Sequence, residues 1–592
     1  MSKARELSKL PNYVLSTVAE LKLSVGKEQG DKAFVGGYYA DGDGGGGDFY
    51  WDAVSVETDN GGTIFQVTGT TTGRWKRIYS GSVNVKWFGA KGDGATNDTA
   101  AIQSSMQHLS IFIPIGKYLV TTPLIPLSKS KIYGEGRNTW YPYGAVSFPD
   151  FRRSALITNG NGCFNLDGKS NVSISSISIE DLSGVQSAYG ANAGYVVGSY
   201  GIKIPNTVSI QIKDISFSGL EYGIMASEII DEAEAMMFRL DNFEASDCKC
   251  VVKIGNDTSS GYIARDFQIL NCTIALHCGT FLDVSNTDGM QCTNLRLFQS
   301  YYDAVKIKNS PFVVMNGITI FESKERNIII DGCNYIVMSA MLLSRAGGYS
   351  ITTPWVVKSA IEIINTNSIK FDGAIEHPAG QAIVLSSCNG ANIDFTAETP
   401  FYTNGMSTVG GEGAVSIASS TGVILNGVMT GDNAYIYGVK SDYNSMREID
   451  GYVKTPKYTA NSKVYSLDTK NQLCFNYIYP TDVALGAGGG ASVGFVKIYI
   501  PNGKKLVTRG GTIGNKDVQF RILYGAGFFF TSGLIIDENM YSTTDERKEI
   551  YANSTGSSIE LQLNLWDRNP TAGVVTILAG TIYSLNFALE NI

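Results

Sequence analysis

Charge is sparse in this 592-residue chain: 17% of its residues are Asp, Glu, Lys or Arg, against 43% hydrophobic. That balance excludes a disordered acidic chain. The formal net charge of −8 offers no basic footprint for nucleic acid, so an anionic glycan could be met only through local Arg and Lys. Histidine is nearly absent, with three residues in all, which leaves little room for a His-based metal site. The nine cysteines are odd in number and form no paired CxxC arrangement. Most lie inside apolar runs (Cys248, Cys250, Cys272, Cys292), where a free thiol behaves as a small hydrophobe, so buried thiols are expected rather than disulfides or zinc. No cofactor or metal is called for. The segment from Met1 to Lys22 lacks an apolar signal core, and no stretch approaches a membrane span. The expectation is a chain made in a reducing cytosol, without signal-peptide export or membrane insertion.

What the sequence has in quantity is 66 Gly, 32 Tyr and 26 Phe, the composition of an all-β protein rich in turns and aromatics. Its length calls for two to four units or one long repeat array. Residues 1–80 read as a small N-terminal module. Its loop from Asp41 to Asp48 is no phosphate cradle, since no Gly-Lys-Ser/Thr follows and no helix is signalled after it; it reads as a flexible turn between strands. From about 160 to 400, short β-type runs recur with anchors at Ile177, Ile215, Phe243, Phe267, Leu295, Ile318 and Met341, spaced 38, 28, 24, 28, 23 and 23 residues apart. A period of this size marks a solenoid. The runs are rich in Val, Ile, Thr, Phe and Asn with period-two alternation, so the unit is a coil of a parallel β-helix, over residues 81–440. A leucine-rich repeat would need a Leu-x-x-Leu-x-Leu pattern, which is absent. Residues 443–452 read as a junction. They fall at the start of a unit over 441–592, whose alternating strands with Gly-rich turns indicate a β-sandwich capping the open end of the solenoid.

The string from Val83 to Gln103, with Gly89, Gly92, Asp93, Gly94, Asn97 and Asp98, is followed by Ile113-Pro-Ile-Gly-Lys-Tyr-Leu-Val-Thr121 and Ile132-Tyr-Gly-Glu-Gly136. It resembles the opening of pectate-lyase-superfamily β-helix proteins, in particular bacteriophage tail-spike polysaccharide depolymerases. The resemblance implies a right-handed single-stranded parallel β-helix that trimerises. It implies a virion tail protein, assembled in the host cytoplasm, that acts on capsular or exopolysaccharide at the outer surface of the bacterial cell. The glycine-rich module is similar to the particle-proximal segment that joins such spikes to tail or baseplate proteins. The conspicuous Asp93 and Asp98 read as structural, with Asn97 or Asp98 capping a short helix.

Polysaccharide cleavage needs two carboxylates flanking the glycosidic bond, or a base that removes the proton beside a uronate with a cation to stabilise the enolate. Four residues after each anchor runs a polar column: Asp181, Gly219, Asp247, Asn271, Gln299, Glu322 and Arg345. Three residues after each anchor the positions face outward, as Glu180, Ser218, Ser246, Leu270, Phe298, Phe321 and Ser344. There Phe298 and Phe321 form an aromatic strip suited equally to a sugar's apolar face or to a subunit interface, the latter shared by Leu342. Aligning Ala374 with Met341 sets His377 outward beside Phe321 and Ser344 and puts Glu376 on the core track. An unpaired carboxylate there is costly, so a bulge that turns Glu376 out is expected. Glu322 and Glu376 are the candidate acid and base, two coils or about 9 to 10 Å apart, a spacing for inverting hydrolysis. Arg345 and His377 assist, and Tyr301, Tyr302 and Asp303 are candidate sugar contacts. The plainer alternatives are a surface ion pair between Glu322 and Arg345 and ordinary packing of the tyrosines. A second acidic cluster, Asp231, Glu232 and Glu234 with Glu244 nearby, reads as a solvated loop. Hydrolysis, elimination, glycan binding without cleavage and a purely structural fibre all stay open on these residues; the resemblance favours an enzyme.

Overall fold

A computed structural model describes residues 12–137, 153–181, 195–226, 237–255, 264–347, 358–398, 415–418 and 420–430, together with strands between 436 and 591. The expected junction at 443–452 lies outside the described residues. The chain divides into two compact units, Met1–Tyr301 and Tyr302–Ile592.

The first unit opens with a five-stranded sheet in the order Tyr13–Thr17, Lys32–Gly37, Gly47–Asp52, Arg74–Arg77, Ile64–Gln66. Its core is Leu21, Val35, Phe49, Trp51, Phe65 and Trp75. The glycine loop beside it is pinned rather than flexible. Asp43 accepts backbone N–H bonds from Tyr38 (2.9 Å), Tyr39 (2.7 Å), Ala40 (3.2 Å) and Gly45 (2.8 Å). Burial works against its charge, but those four donors outweigh it and lower its pKa. Gly46 passes so close to the neighbouring strand that a Cβ would fall 2.3 Å from the Val35 carbonyl. From the other side Arg77 donates to the carbonyls of Gly45 (2.8 Å), Gly46 (2.7 Å) and Gly62 (3.0 Å), between the rings of Phe49 and Trp87. Burial pulls its pKa down to about 9, which leaves it charged at neutral pH.

In the segment that follows, Asp98 is almost wholly buried and holds the turn rather than capping the helix Thr99–Ser105. Its carboxylate accepts the N–H groups of Lys91 (2.7 Å) and Gly92 (3.0 Å), while Asn97 accepts the Thr99 N–H at 3.1 Å. Desolvation raises the Asp98 pKa against these donors.

Parallel coils make up the rest of the first unit. One ladder runs through Ser173–Asp181, Ile210–Ser218, Phe238–Ser246, Ala264–Leu276 and Thr287–Ser300, and a second through Gly162–Asn165, Val196–Lys203, Leu220–Ala226, Cys250–Ile254 and Thr280–Ser285. The second unit repeats the pattern. Its longer ladder is Pro311–Ser323, Asn334–Ala346, Asn367–Glu376, Asn389–Glu398 and Thr421–Thr430. Its shorter one is Val305–Lys308, Ile328–Asp331, Ile361–Ile364, Ile383–Ser386, Val415–Ala418 and Ile436–Tyr437. The strands of these ladders pair in parallel, as a β-helix requires. Inward positions stack into apolar files such as Ile179–Phe217–Ala245–Ala275–Leu297 and Ile320–Leu343–Ile375–Ala397. The eight cysteines whose side chains are described are free and buried. From Val464 to Asn591 the strands pair antiparallel, in sheets of five, four and two strands, the make-up of a β-sandwich.

One anchor of the sequence alignment is displaced. Phe243 pairs with Cys272, and Cys272 with Leu295, while Phe267 pairs with Met290 and stacks on Phe238 with ring centroids 5.0 Å apart. On these strands the aromatic pair Phe238–Phe267 runs five residues from the file Phe243–Cys272–Leu295, and Phe267 belongs to the former. Asn271 therefore leaves the corner column for a mid-strand ladder, where it donates to Asp241 (2.8 Å) and accepts from Asn294 (3.1 Å). Leu276 and His277 take the places assigned to Leu270 and Asn271.

Candidate active site

The corner column has a backbone cause. Gly219, Asp247, His277 and Gln299 in the first unit, and Glu322, Arg345 and His377 in the second, all have φ between 47° and 69°. At each, the chain turns out of the long ladder through the left-handed region, which excludes β-branched side chains and favours Gly, Asn, Asp and His. Polarity there is first a requirement of the turn.

In the second unit two files run side by side across three strands. Phe321 lies opposite Ser344, and Ser344 opposite Glu376. One residue further on come Glu322, Arg345 and His377. Arg345 Nη1 donates to Glu322 Oε1 at 2.6 Å, and its guanidinium sits 4.8 Å from the Phe321 ring centroid. The arginine thus bridges a carboxylate and an aromatic face while its side chain stays 44% exposed. Solvent at that exposure keeps the pair's contribution to stability at about 0–1 kcal/mol, so its geometry matters more than its energy. Glu376 faces solvent, two strands or about 9 to 10 Å from the Phe321 position.

Glu376 reaches the surface by a register different from the one the sequence implied. Gly373, not Ala374, pairs with Met341, and Ile375 takes the core position beside Leu343. The extra residue belongs to the preceding strand, in the register shift between Met338 and Met341, where Ala340 adopts φ 51°. The bulge is real but one coil earlier, and Glu376 bears no burial cost.

Two expected sugar contacts drop out. Tyr301 is buried in the first unit. Asp303, 4% exposed, is gripped by Arg326 through Nε (2.8 Å) and Nη2 (3.0 Å), and Arg326 also reaches Glu362 at 2.5 Å. That network is a girder under the second unit rather than a ligand site. Tyr302 is exposed. Phe298, half-buried, lies opposite Leu276 in the first unit.

Sequence reasoning missed a second set of charges. Arg137, nearly buried, bonds Glu244 at 2.8 Å and Asp214 at 3.0 Å, and Arg153 pairs with Glu180 at 2.9 Å. Glu244 is therefore an interior ion-pair partner and not part of a solvated acidic loop; Asp231, Glu232 and Glu234 lie outside the described residues. Arg137 meets Asp214 from 77 residues away, so no local pattern could reveal the pair. In the corner column of the same unit, burial lifts the Asp247 carboxyl to about 6, against a Ser246 hydrogen bond that lowers it. Burial also lowers the pKa of His277, one coil on. Among the described residues no group of three or more His, Cys, Asp or Glu side chains could hold a metal ion. Among the same residues no helix is long and apolar enough to cross a membrane.

Residues 14–80 match the model of the phage tail protein small four-stranded β-sheet domain, and residues 82–161 that of the rhamnogalacturonase A/epimerase, pectate lyase-like family. The two matched segments adjoin and together span residues 14–161. The phage-tail match covers the pinned glycine loop, and the pectate lyase-like match covers the turn held by Asp98. A Mu-like prophage FluMu defective tail fiber protein of Haemophilus influenzae is 36% identical over 97 residues, which is 16% of this chain and only 15% of that protein. Solved structures to which the chain is similar include the enzymatically active domain of bacteriophage CBA120 tailspike protein 2 (14% identity, 99% of this chain and 87% of that one, TM-score 0.43). Another is tailspike protein gp49 of Acinetobacter baumannii bacteriophage Fri1, a capsular polysaccharide depolymerase (12% identity, 98% and 100%, TM-score 0.37). A GH87 α-1,3-glucanase from Streptomyces thermodiastaticus matches over 66% of this chain and 72% of its own (13% identity, TM-score 0.37).

Proposed function

We propose that this protein is a phage tail depolymerase that binds a bacterial capsular or exopolysaccharide and cleaves it by glycoside hydrolysis at the paired files of the second unit. The observation that carries the reading is the juxtaposition of two carboxylates, a guanidinium and an aromatic ring on adjacent coils of a rigid ladder. A hydrolase needs a carboxylate that stays ionised to activate water and a second carboxyl to protonate the leaving oxygen, on opposite sides of the sugar. Glu322, held by Arg345, takes the first role, and Glu376 the second. Their two-coil separation leaves room for the water of an inverting reaction. Phe321 offers a ring to the sugar's C–H face, with His377 and Tyr302 at the margins.

The division into an N-terminal module (1–80), a β-helix (81–440) and a C-terminal sandwich (441–592) belongs to the same reading. The module attaches to the tail, the β-helix engages glycan, and three copies assemble on the virion. Elimination is the competing chemistry, with Arg345 neutralising a uronate, but here its guanidinium is already engaged by Glu322.

The test is incubation of the purified protein with capsular polysaccharides from a strain panel, with fragments read by mass. Fragments heavier by one water support hydrolysis. Unsaturated uronate ends indicate elimination, and retention of the polymer without fragments indicates a receptor that does not cut. Full activity in both Glu322→Gln and Glu376→Gln would remove this pair from the mechanism.

A further inference from the structure

Nine residues before Phe321 on the same strand, Phe312 begins a different surface. The ladder turns between them at Gly317, φ 65°. Phe312 lies opposite Tyr335 on the next strand, and the two rings stack with centroids 5.1 Å apart and planes within 3°. Both are conspicuously exposed, at 53% and 57%. Both also sit in the left-handed region, at φ 55° and 58°, where a bulky aromatic is an outlier that the surroundings must enforce. Further along this file the same turn carries Ser368 (φ 55°) and then Gly390 (φ 72°). Where the turn prefers small or polar residues, two successive coils carry aromatics, and then the file empties. A Cβ on Gly390 would meet nothing nearer than 3.8 Å. The face of Tyr335 turned away from Phe312 therefore looks over a shelf floored by Ser368 and Gly390. Beside that shelf runs a row of exposed amides. Asn334 pairs with Asn367, which pairs with Asn389, and Asn367 Nδ2 donates to Asn334 Oδ1 at 2.9 Å.

We propose that the Phe312–Tyr335 stack and the adjoining Asn334–Asn367–Asn389 row form a second, non-catalytic carbohydrate subsite, which holds the polymer away from the Glu322–Glu376 site. A pyranose ring has the chemistry the shelf asks for. Its C–H face continues the stack on Tyr335, one coil spacing further, and its hydroxyls meet side-chain amides that both donate and accept. The coil spacing of about 4.8 Å suits ring stacked on ring. A second copy of the chain is a poorer occupant. Two half-exposed aromatics offer about 200–300 Å², against about 800 Å² per partner in a stable interface. Of the neighbouring outward positions, Val314 and the half-buried Val337 are apolar, but the strip turns polar beyond them at Asn316, Lys370 and Asp372, so the apolar patch stays well short of such an interface. The subsite rests on the reading of the protein as polysaccharide-binding, though not on cleavage.

The experiment is affinity electrophoresis of the full chain in native gels cast with purified capsular polysaccharides from a strain panel. It compares wild type with Phe312→Ala, Tyr335→Ala and Tyr335→Phe, each also in a Glu376→Gln background. At least one capsule is expected to retard wild type. Tyr335→Ala should weaken that retardation at least tenfold, Phe312→Ala less, and Tyr335→Phe should retain it, because the ring face and not the hydroxyl makes the contact. Equal retardation of Tyr335→Ala and wild type overturns the proposal. So does a loss in Tyr335→Ala that Tyr335→Phe shares, and so does a panel that leaves wild type unretarded. A protein that cuts nothing but whose retardation depends on Tyr335 sinks the cleavage reading and upholds this one. A protein that cuts with retardation indifferent to Tyr335 does the reverse.

Discussion

Asp247 makes the protein's stability depend on pH in a direction opposite to that of most carboxylates. It sits 5% exposed at the corner of its coil, and desolvation lifts its pKa from 3.8 to about 6. A carboxyl whose folded pKa is raised binds its proton more tightly in the folded state. Its contribution is therefore neutral below about pH 4, becomes destabilising as the pH rises to about 6, and stays so above. A shift of about 2 units at roughly 1.4 kcal/mol per unit gives about 3 kcal/mol of destabilisation at neutral pH. Asp247→Asn keeps the shape and the local hydrogen-bonding capacity without the charge. The variant is expected to be more stable than wild type at pH 7.5, by up to about 3 kcal/mol, and to differ little at pH 3.5. Pulse proteolysis across a urea series, reading cleavage within residues 200–300, measures the difference at each pH. An Asp247→Asn effect of the same size at both pH values would refute the argument, because burial of charge would then not be its source.

Glu322→Gln and Glu376→Gln are each expected to lower polysaccharide cleavage by about 10²- to 10⁴-fold, the range for loss of an acid or base, with circular dichroism unchanged. Arg326→Met should cost about 3–5 kcal/mol by stranding the buried Asp303 carboxylate, visible as a lowered melting temperature. Capsule retardation by the folded fraction should not change, since this network is not a glycan contact. Arg77→Leu removes donors from three glycine carbonyls and should open the 41–48 loop to limited proteolysis, at about 1–3 kcal/mol for each acceptor left unmet.

The coil period was legible because a parallel ladder repeats its core residues, so Ile318 and Met341 reveal their pairing in a single sequence. It blurred where the aromatic pair Phe238–Phe267 ran beside the anchor file of Phe243, and where a small Cys272 held the anchor position. The polar corner column was visible too, but its cause was not. A sequence cannot tell a residue chosen for a left-handed turn from one chosen for a ligand, and the corner residues Asp247 and Glu322 answer to the first demand before the second. Asp303 could have been matched to Arg326, exactly one 23-residue coil on, had burial been weighed. Arg137 with Glu244 offered no such clue, because their meeting depends on two intervening coils, those of Ser173–Asp181 and Ile210–Ser218.

The left-handed corners also restrict how this surface can change. Each coil gives the corner a single side chain, and the backbone there refuses Val, Ile and Thr. Drift at Glu322, Arg345 or His377 is channelled toward swaps of charge and reach rather than of branched bulk. If these positions meet the glycan as proposed, a lineage adapting to a new one must do so by changing the sign and length of its side chains, one coil at a time, with the ladder beneath left undisturbed.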